Sequence, residues 1–182
     1  MRRGLAMLSI DPRLYRRPTG RVNGQGTHWR GTKGGSAMES AAPLSRAVLV
    51  HDAAGMALAL AAGREALPAG LTLPLLSAPG AAAWLSPHLF LAMVAEASRT
   101  GAPPCLPVLD CGMAAGHALA ALRAGCPALV LSAACPAFPT LASAAAERGA
   151  QLWPEAPAAL DTAGLRPGDP RALARLRDWL RG

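Results

Sequence analysis

The chain has 182 residues, 52% of them apolar but only 4% aromatic, and a formal charge of +7. That length is about one domain's worth, and its apolar share is ample for a core, although alanine, which buries little area, supplies much of it. The charge is unevenly placed: residues 1 to 40 hold eight Arg or Lys against two acids, the remainder ten against nine, so the core domain is nearly neutral and gives no reason to expect nucleic acid binding.

Residues 1–40 read as a disordered basic extension. RRPTGRVNGQGTHWRGTKGG lacks apolar periodicity. It is either a basic arm, with Tyr15 and Trp29 free to stack on bases, a targeting segment, or an extension irrelevant to a domain that starts near Met38. MRRGLAMLSIDP has no sustained apolar run, so no secretory peptide is expected. Cys105, Cys111, Cys126 and Cys135 are accordingly expected as reduced thiols in a cytoplasmic protein. Residues 66 to 95 carry no Asp, Glu, Lys or Arg, but four prolines and two glycines interrupt them, so no membrane span is expected.

Residues 46–153 read as a parallel α/β domain. AVLVHD (47–52) is a strand, and AAGMALALAAGREAL (53–67) a helix weakened by Gly55 and Gly63. LTLPLLSA (71–78) is the next strand, with Pro74 at an edge or bulge, or else excluding its first residues. Ser86 and Pro87 open a helix that runs to Gly101. CLPVLDCG (105–112) is a third strand, AAGHALAALRAGC a helix closing at Gly125, and PALVLSAAC (127–135) a fourth strand. FPTLASAAAERGA is a further helix and QLW a short last strand. Residues 154–168 read as a Pro-rich linker, and 169–181 as a helix whose stripe of Leu173, Leu176, Trp179 and Leu180 docks on the domain or on a partner subunit.

The result is a parallel sheet of four to five strands with helical crossovers. It is either an open sheet or a partial TIM-type barrel with about half of the units a full barrel needs. Ligands of such folds bind at the carboxyl ends of the strands, which singles out His51, Asp52, Ser77, Asp110, Cys111, Ser132 and Cys135. Asp110 and Asp52 are the candidate catalytic pair, able to split their pKa values as acid and base; alternatively each accepts loop amides and starts a helix. On a strand His51 points away from Asp52, which disfavours a dyad of those two. His88 and His117 fall on helix surfaces. Cys111 is either a thiolate activated by helix-terminal amides or an inert buried thiol. The loop SAPGAAAW (77–84), with Ser77 and Gly80, offers amides for an anion, and Ser132 and Cys111 complete the substrate-binding set. The cysteines lack CxxC spacing, so no metal is expected, and without GxGxxG or GxxxxGK[ST] no nucleotide cofactor is expected.

PVLDCGMAAGHALAALRAGCPALVLSAA resembles a segment of class II fructose-bisphosphate aldolases, and VLVHDAAGMALALAAGREA with LTLPLLSAPGAA resembles the family's early βα units. The resemblance covers residues 47–135. It places the family's catalytic aspartate on Asp110 and its turn on Ala124–Gly125. The metal-binding histidine falls on Cys111, and no later histidine matches. The resemblance implies a shortened, metal-free, lyase-like enzyme acting on a small anionic substrate, a homo-oligomer or one completed by a partner subunit. The competing readings are a noncatalytic scaffold or regulatory subunit, and a nucleic-acid protein working through the basic arm.

Overall fold

A computed structural model describes residues 42–43 and 46–182; the expectations for residues 1 to 40 fall outside them. A two-residue strand, β1 (Ala42–Pro43), leads into β2 (Ala47–Val50), α1 (Ala53–Ala66), β3 (Leu71–Ser77), α2 (Pro87–Ala97), β4 (Cys105–Asp110) and α3 (Ala115–Ala124). Then follow β5 (Ala128–Val130), α4 (Phe138–Glu147), β6 (Gln151–Trp153), β7 (Ala159–Asp161) and α5 (Pro170–Arg181). Local chemistry sets the helix limits. Asp52, Ser86 and Asp169 accept amide bonds from the first turns of α1, α2 and α5, satisfying donors that a helix start leaves open. Gly125 ends α3 in the left-handed conformation, and Gly101 stops the 3-10 turn that extends α2.

Every strand pairing is parallel, in the order β6-β5-β4-β3-β2-β7. From β2 to β6 the sheet grows in one direction, so right-handed crossovers place all their helices on one face. The helices accordingly pack in series, α5 on α1, α1 on α2, α2 on α3 and α3 on α4. The α/β parallel architecture expected from the pattern is therefore present, with six strands along the sheet instead of four to five. The added strand is β7, inside the stretch 154–168 expected as linker. Its three residues carry little strand propensity of their own; pairing with β2 makes them a strand.

Pro74 lies in a central strand, where a missing donor would normally be costly. β1 pairs with β3 at Leu71 and Thr72, and β2 pairs with it from Leu75 to Ser77. Pro74 falls between these two ladders, and its neighbour Leu73 donates to Pro104 on the opposite side. The proline occupies that break, and the β3–β4 register runs through it without interruption, Pro74 opposite Leu106.

The sheet is open, since no described ladder joins β6 to β7, but it cannot be flat. The Pro154 carbonyl accepts from Ala133 at the β5 edge, and the Ala158 carbonyl accepts from Ala47 of β2. In a flat sheet β6 and β7 would stand five spacings apart, about 24 Å. The four peptide steps from 154 to 158 reach at most about 14 Å. The sheet therefore curls until its edges approach, as an incomplete barrel with the helices outside.

The two faces follow the strand alternation. Val48, Val50, Leu73, Leu75, Leu109, Leu129 and Leu131 join the helices in the outer core. Ala47, Leu76, Val108, Ala128 and Val130, with Leu49, Leu106, Trp153 and Ala159 against them, form the inner core. α5 docks on this chain: Ala172, Leu176 and Leu180 are buried. The Trp179 indole donates to the Ala47 carbonyl at 2.9 Å, with the Arg46 guanidinium 4.9 Å above its ring. All four cysteines are free. Among the described residues no helix is long and apolar enough to cross a membrane.

Candidate functional site at the carboxyl ends of the strands

Strand parity determines which side chains turn into the barrel. In β2, Ala47 and Leu49 face inward, so the next inward position is His51. Asp110 is in register with Val130, and Asp161 with Leu49, both inner-core residues. Ser132 follows Val130 by two. The inner face is thus apolar at depth and ends in His51, Asp110, Ser132, Trp153 and Asp161.

Asp110 is 6% exposed. Its Oδ1 accepts from the Gly112 amide at 2.8 Å and the Gly80 amide at 3.0 Å. Its own amide donates to Ser77 Oγ at 2.9 Å. The carboxylate therefore pins the β3 loop to the β4 loop, and two amide donors offset its burial. No described residue bonds Oδ2. Gly80 is left-handed, with φ 64°, which favours glycine where the amide must reach the carboxylate.

This geometry corrects the anion-cradle expectation. The Gly80 amide is taken by Asp110, and those of Ala81 and Ala83 by the carbonyls of Ala78 and Gly80. The anion that the loop holds is the protein's own. Ser77 is buried, and its hydroxyl accepts from Asp110 and donates to Ala78; it ties strands together and does not open onto the mouth. Ser132 Oγ accepts from the Ala134 amide at 3.2 Å, and its half-buried hydroxyl stays at the mouth.

Asp52 does not meet Asp110. It is exposed and caps α1, accepting from the Gly55 amide at 2.7 Å. Parity turns it outward while His51 turns inward, as the alternation requires. Cys111 likewise packs in the outer core, where burial, and secondarily Asp110, push its thiol up to about 12. The protonated thiol so favoured is the less nucleophilic form. Cys135 is also buried in the outer core. His88 and His117 are exposed on α2 and α3.

The partner of His51 is Asp161, at 2.7 Å from Nε2 to Oδ1. The Ala163 amide also donates to that oxygen at 2.7 Å. The Ala163 amide chiefly holds the Asp161 carboxyl below its ordinary range, desolvation opposes it, and the His51 imidazole adds smaller lowering effects. An ionised Asp161 accepts only, so Nε2 is the donor, and in the neutral imidazole the lone pair is on Nδ1. Trp153 closes the far side, its indole donating to Gln151 Oε1 at 3.0 Å. The sequence reading missed Asp161 because it fell inside the presumed linker. The available signal was a repeat of form: VLVHD, PVLD and ALD each end an apolar run on an acid.

The donor set does not fit the divalent metal of the aldolase resemblance. Cys111 is turned outward, and among the described residues no three His, Cys, Asp or Glu side chains gather to hold an ion. No protein-family model matches the chain, and neither curated proteins nor solved structures give a match.

Proposed function

We propose that the protein binds a small molecule at the mouth of its incomplete barrel and performs lyase-like proton transfer there, with His51 as the acid–base group. The supporting observation is the change of character along the inner face, from the apolar cluster of Ala47, Leu76, Val108, Ala128 and Val130 to His51, Asp110, Ser132 and Asp161 at the strand ends. Ligand sites of parallel α/β folds lie at that end. Asp161 fixes the ring and stabilises the imidazolium formed when Nδ1 takes a proton, the general logic of an orienting carboxylate. Asp110 Oδ2 and the Ser132 hydroxyl are the groups left to orient a bound polar head. Asp110 keeps the place that the aldolase resemblance gave it, as a binding group, while proton transfer passes to the pair. The second reading, a noncatalytic interaction subunit, draws on the exposed Trp84, Leu89 and Met113 beside the mouth.

The test is a small-molecule screen read at the His51 imidazole by NMR. Compounds that shift His51 in the wild type and in Asp52→Asn but lose the effect in Asp161→Asn support the mouth as the site. A screen in which every binder leaves His51 unmoved would count against it.

A further inference from the structure

We infer that the ligand of this mouth is a small amine with an apolar body, an inference that rests on the mouth being a small-molecule site. Three observations meet there. First, the exposed large apolar side chains among the described residues are Trp84, Leu89 and Met113, at 66%, 53% and 56%. All three lie past the carboxyl ends of β3 and β4: Trp84 before α2, Leu89 in the first turn of α2, and Met113 before α3. Exposed large apolar groups gathered at one end mark a binding surface more than chance exposure does. Second, the inward charges at that end are the carboxylates of Asp110 and Asp161, and no Arg or Lys stands in the loops leaving β2, β3, β4, β5 or β6. Arg166, beyond β7, is the exception. Arginines instead close the helices at the opposite end: Arg64, Arg99, Arg123 and Arg181 in last turns and Arg148 as the α4 cap, where they complement the helix dipoles. Third, Asp110 is more than nine-tenths buried, faces inward, and has one carboxylate oxygen that no described residue bonds.

An ammonium head satisfies that oxygen and the negative side chains of the mouth, whereas a carboxylate or phosphate head meets two carboxylates, with the Gly80 and Gly112 amides beside Asp110 already taken. The uncharged rim of Trp84, Leu89 and Met113 then covers the apolar body. Desolvation on that rim strengthens the head's attraction to the carboxylates.

NMR titration of the full chain tests this with hexylamine and 2-phenylethylamine, their acid counterparts hexanoate and 3-phenylpropionate, and glycerol as a neutral polar probe. The amines are expected to shift the Met113 methyl, the Trp84 indole and the His51 ring together, with affinity about tenfold above the acids. Trp84→Ala and Met113→Gln, both at exposed positions, are each expected to weaken amine binding by roughly threefold to tenfold. Acids that bind as well as the amines, or glycerol moving His51 with no amine response, would overturn the amine assignment while leaving the mouth as a site. Amines that move Trp84 and Met113 but not His51 overturn it too, by separating the rim from the polar groups. If no probe of any class moves His51 or the rim, the small-molecule reading falls with it.

Discussion

The two sides of the mouth use an aspartate in opposite ways. On the β3–β4 side Asp110 is buried and bound by backbone amides, and the loops it joins contain no charged side chain. On the β2–β7 side Asp161 is exposed and bound to a side chain, His51, that can itself take up and release a proton. Burial with fixed donors makes a structural lock with one oxygen to spare; exposure with a titratable partner makes a pair open to proton exchange with solvent. A carboxylate at a strand end therefore acquires its role from what reaches it, which the strand alone does not specify.

The two sides differ most in stability at Asp110. Asp110→Ala leaves the Gly80 and Gly112 amides without their acceptor and is expected to cost about 2 to 4 kcal/mol, read as a lower midpoint in urea. A loss below about 1 kcal/mol would mean that the lock is unimportant. On the other side, Gly55 lets β7 approach α1: a Cβ there would stand 2.5 Å from Thr162 Oγ1, the hydroxyl that donates to the Leu49 carbonyl at 2.9 Å. Gly55→Ala is expected to lose about 1 to 3 kcal/mol despite the better helix propensity of alanine. It should also loosen Asp161 from His51, which hydrogen exchange at Thr162 and Ala163 would show. Asp52→Ala removes only a cap, at about 1 kcal/mol, and should leave ligand effects on His51 intact.

Asp161→Asn should change stability least, by under about 0.5 kcal/mol, because the pair is exposed, yet it should remove ligand response at His51. The sign with pH follows from the lowered pKa of Asp161. Its contribution is present above the unfolded carboxyl value and fades as pH falls through the lower folded value. Stability differences between wild type and Asp161→Asn should therefore narrow only in acid. A difference that stays constant as pH falls through the carboxyl range would contradict the ionised Asp161 described above.

Much of the fold was legible because continuous apolar runs and glycine stops are local. AVLV, LTLPLLS and CLPVLD became strands, Gly125 ended α3 as read, and Gly101 stops the 3-10 turn that follows α2, which itself ends at Ala97. β7 was not legible, since Ala159–Asp161 becomes a strand only by pairing with a segment more than a hundred residues earlier. The site was half legible for the same reason. Asp110 sits at the end of a recognisable strand, and the alternation separated His51 from Asp52 correctly. The acid that His51 does meet depended on the sheet curling back to β7. Ser77, Gly80 and Cys111 were located at the right end of the fold, but their hydroxyl, amide and thiol are engaged within the protein or turned outward. Parity and hydrogen-bond partners decide that, and residue type does not.

The most direct measurement is a long-range proton–nitrogen NMR correlation of the His51 ring in neutral solution, in the wild type, Asp52→Asn and Asp161→Asn. A neutral His51 ring with its proton on Nε2 and a bare Nδ1 is expected in the wild type and in Asp52→Asn, with that preference lost in Asp161→Asn. A proton held mainly on Nδ1, or a tautomer indifferent to Asp161, would contradict the pairing of His51 with Asp161 and the reactive role built on it.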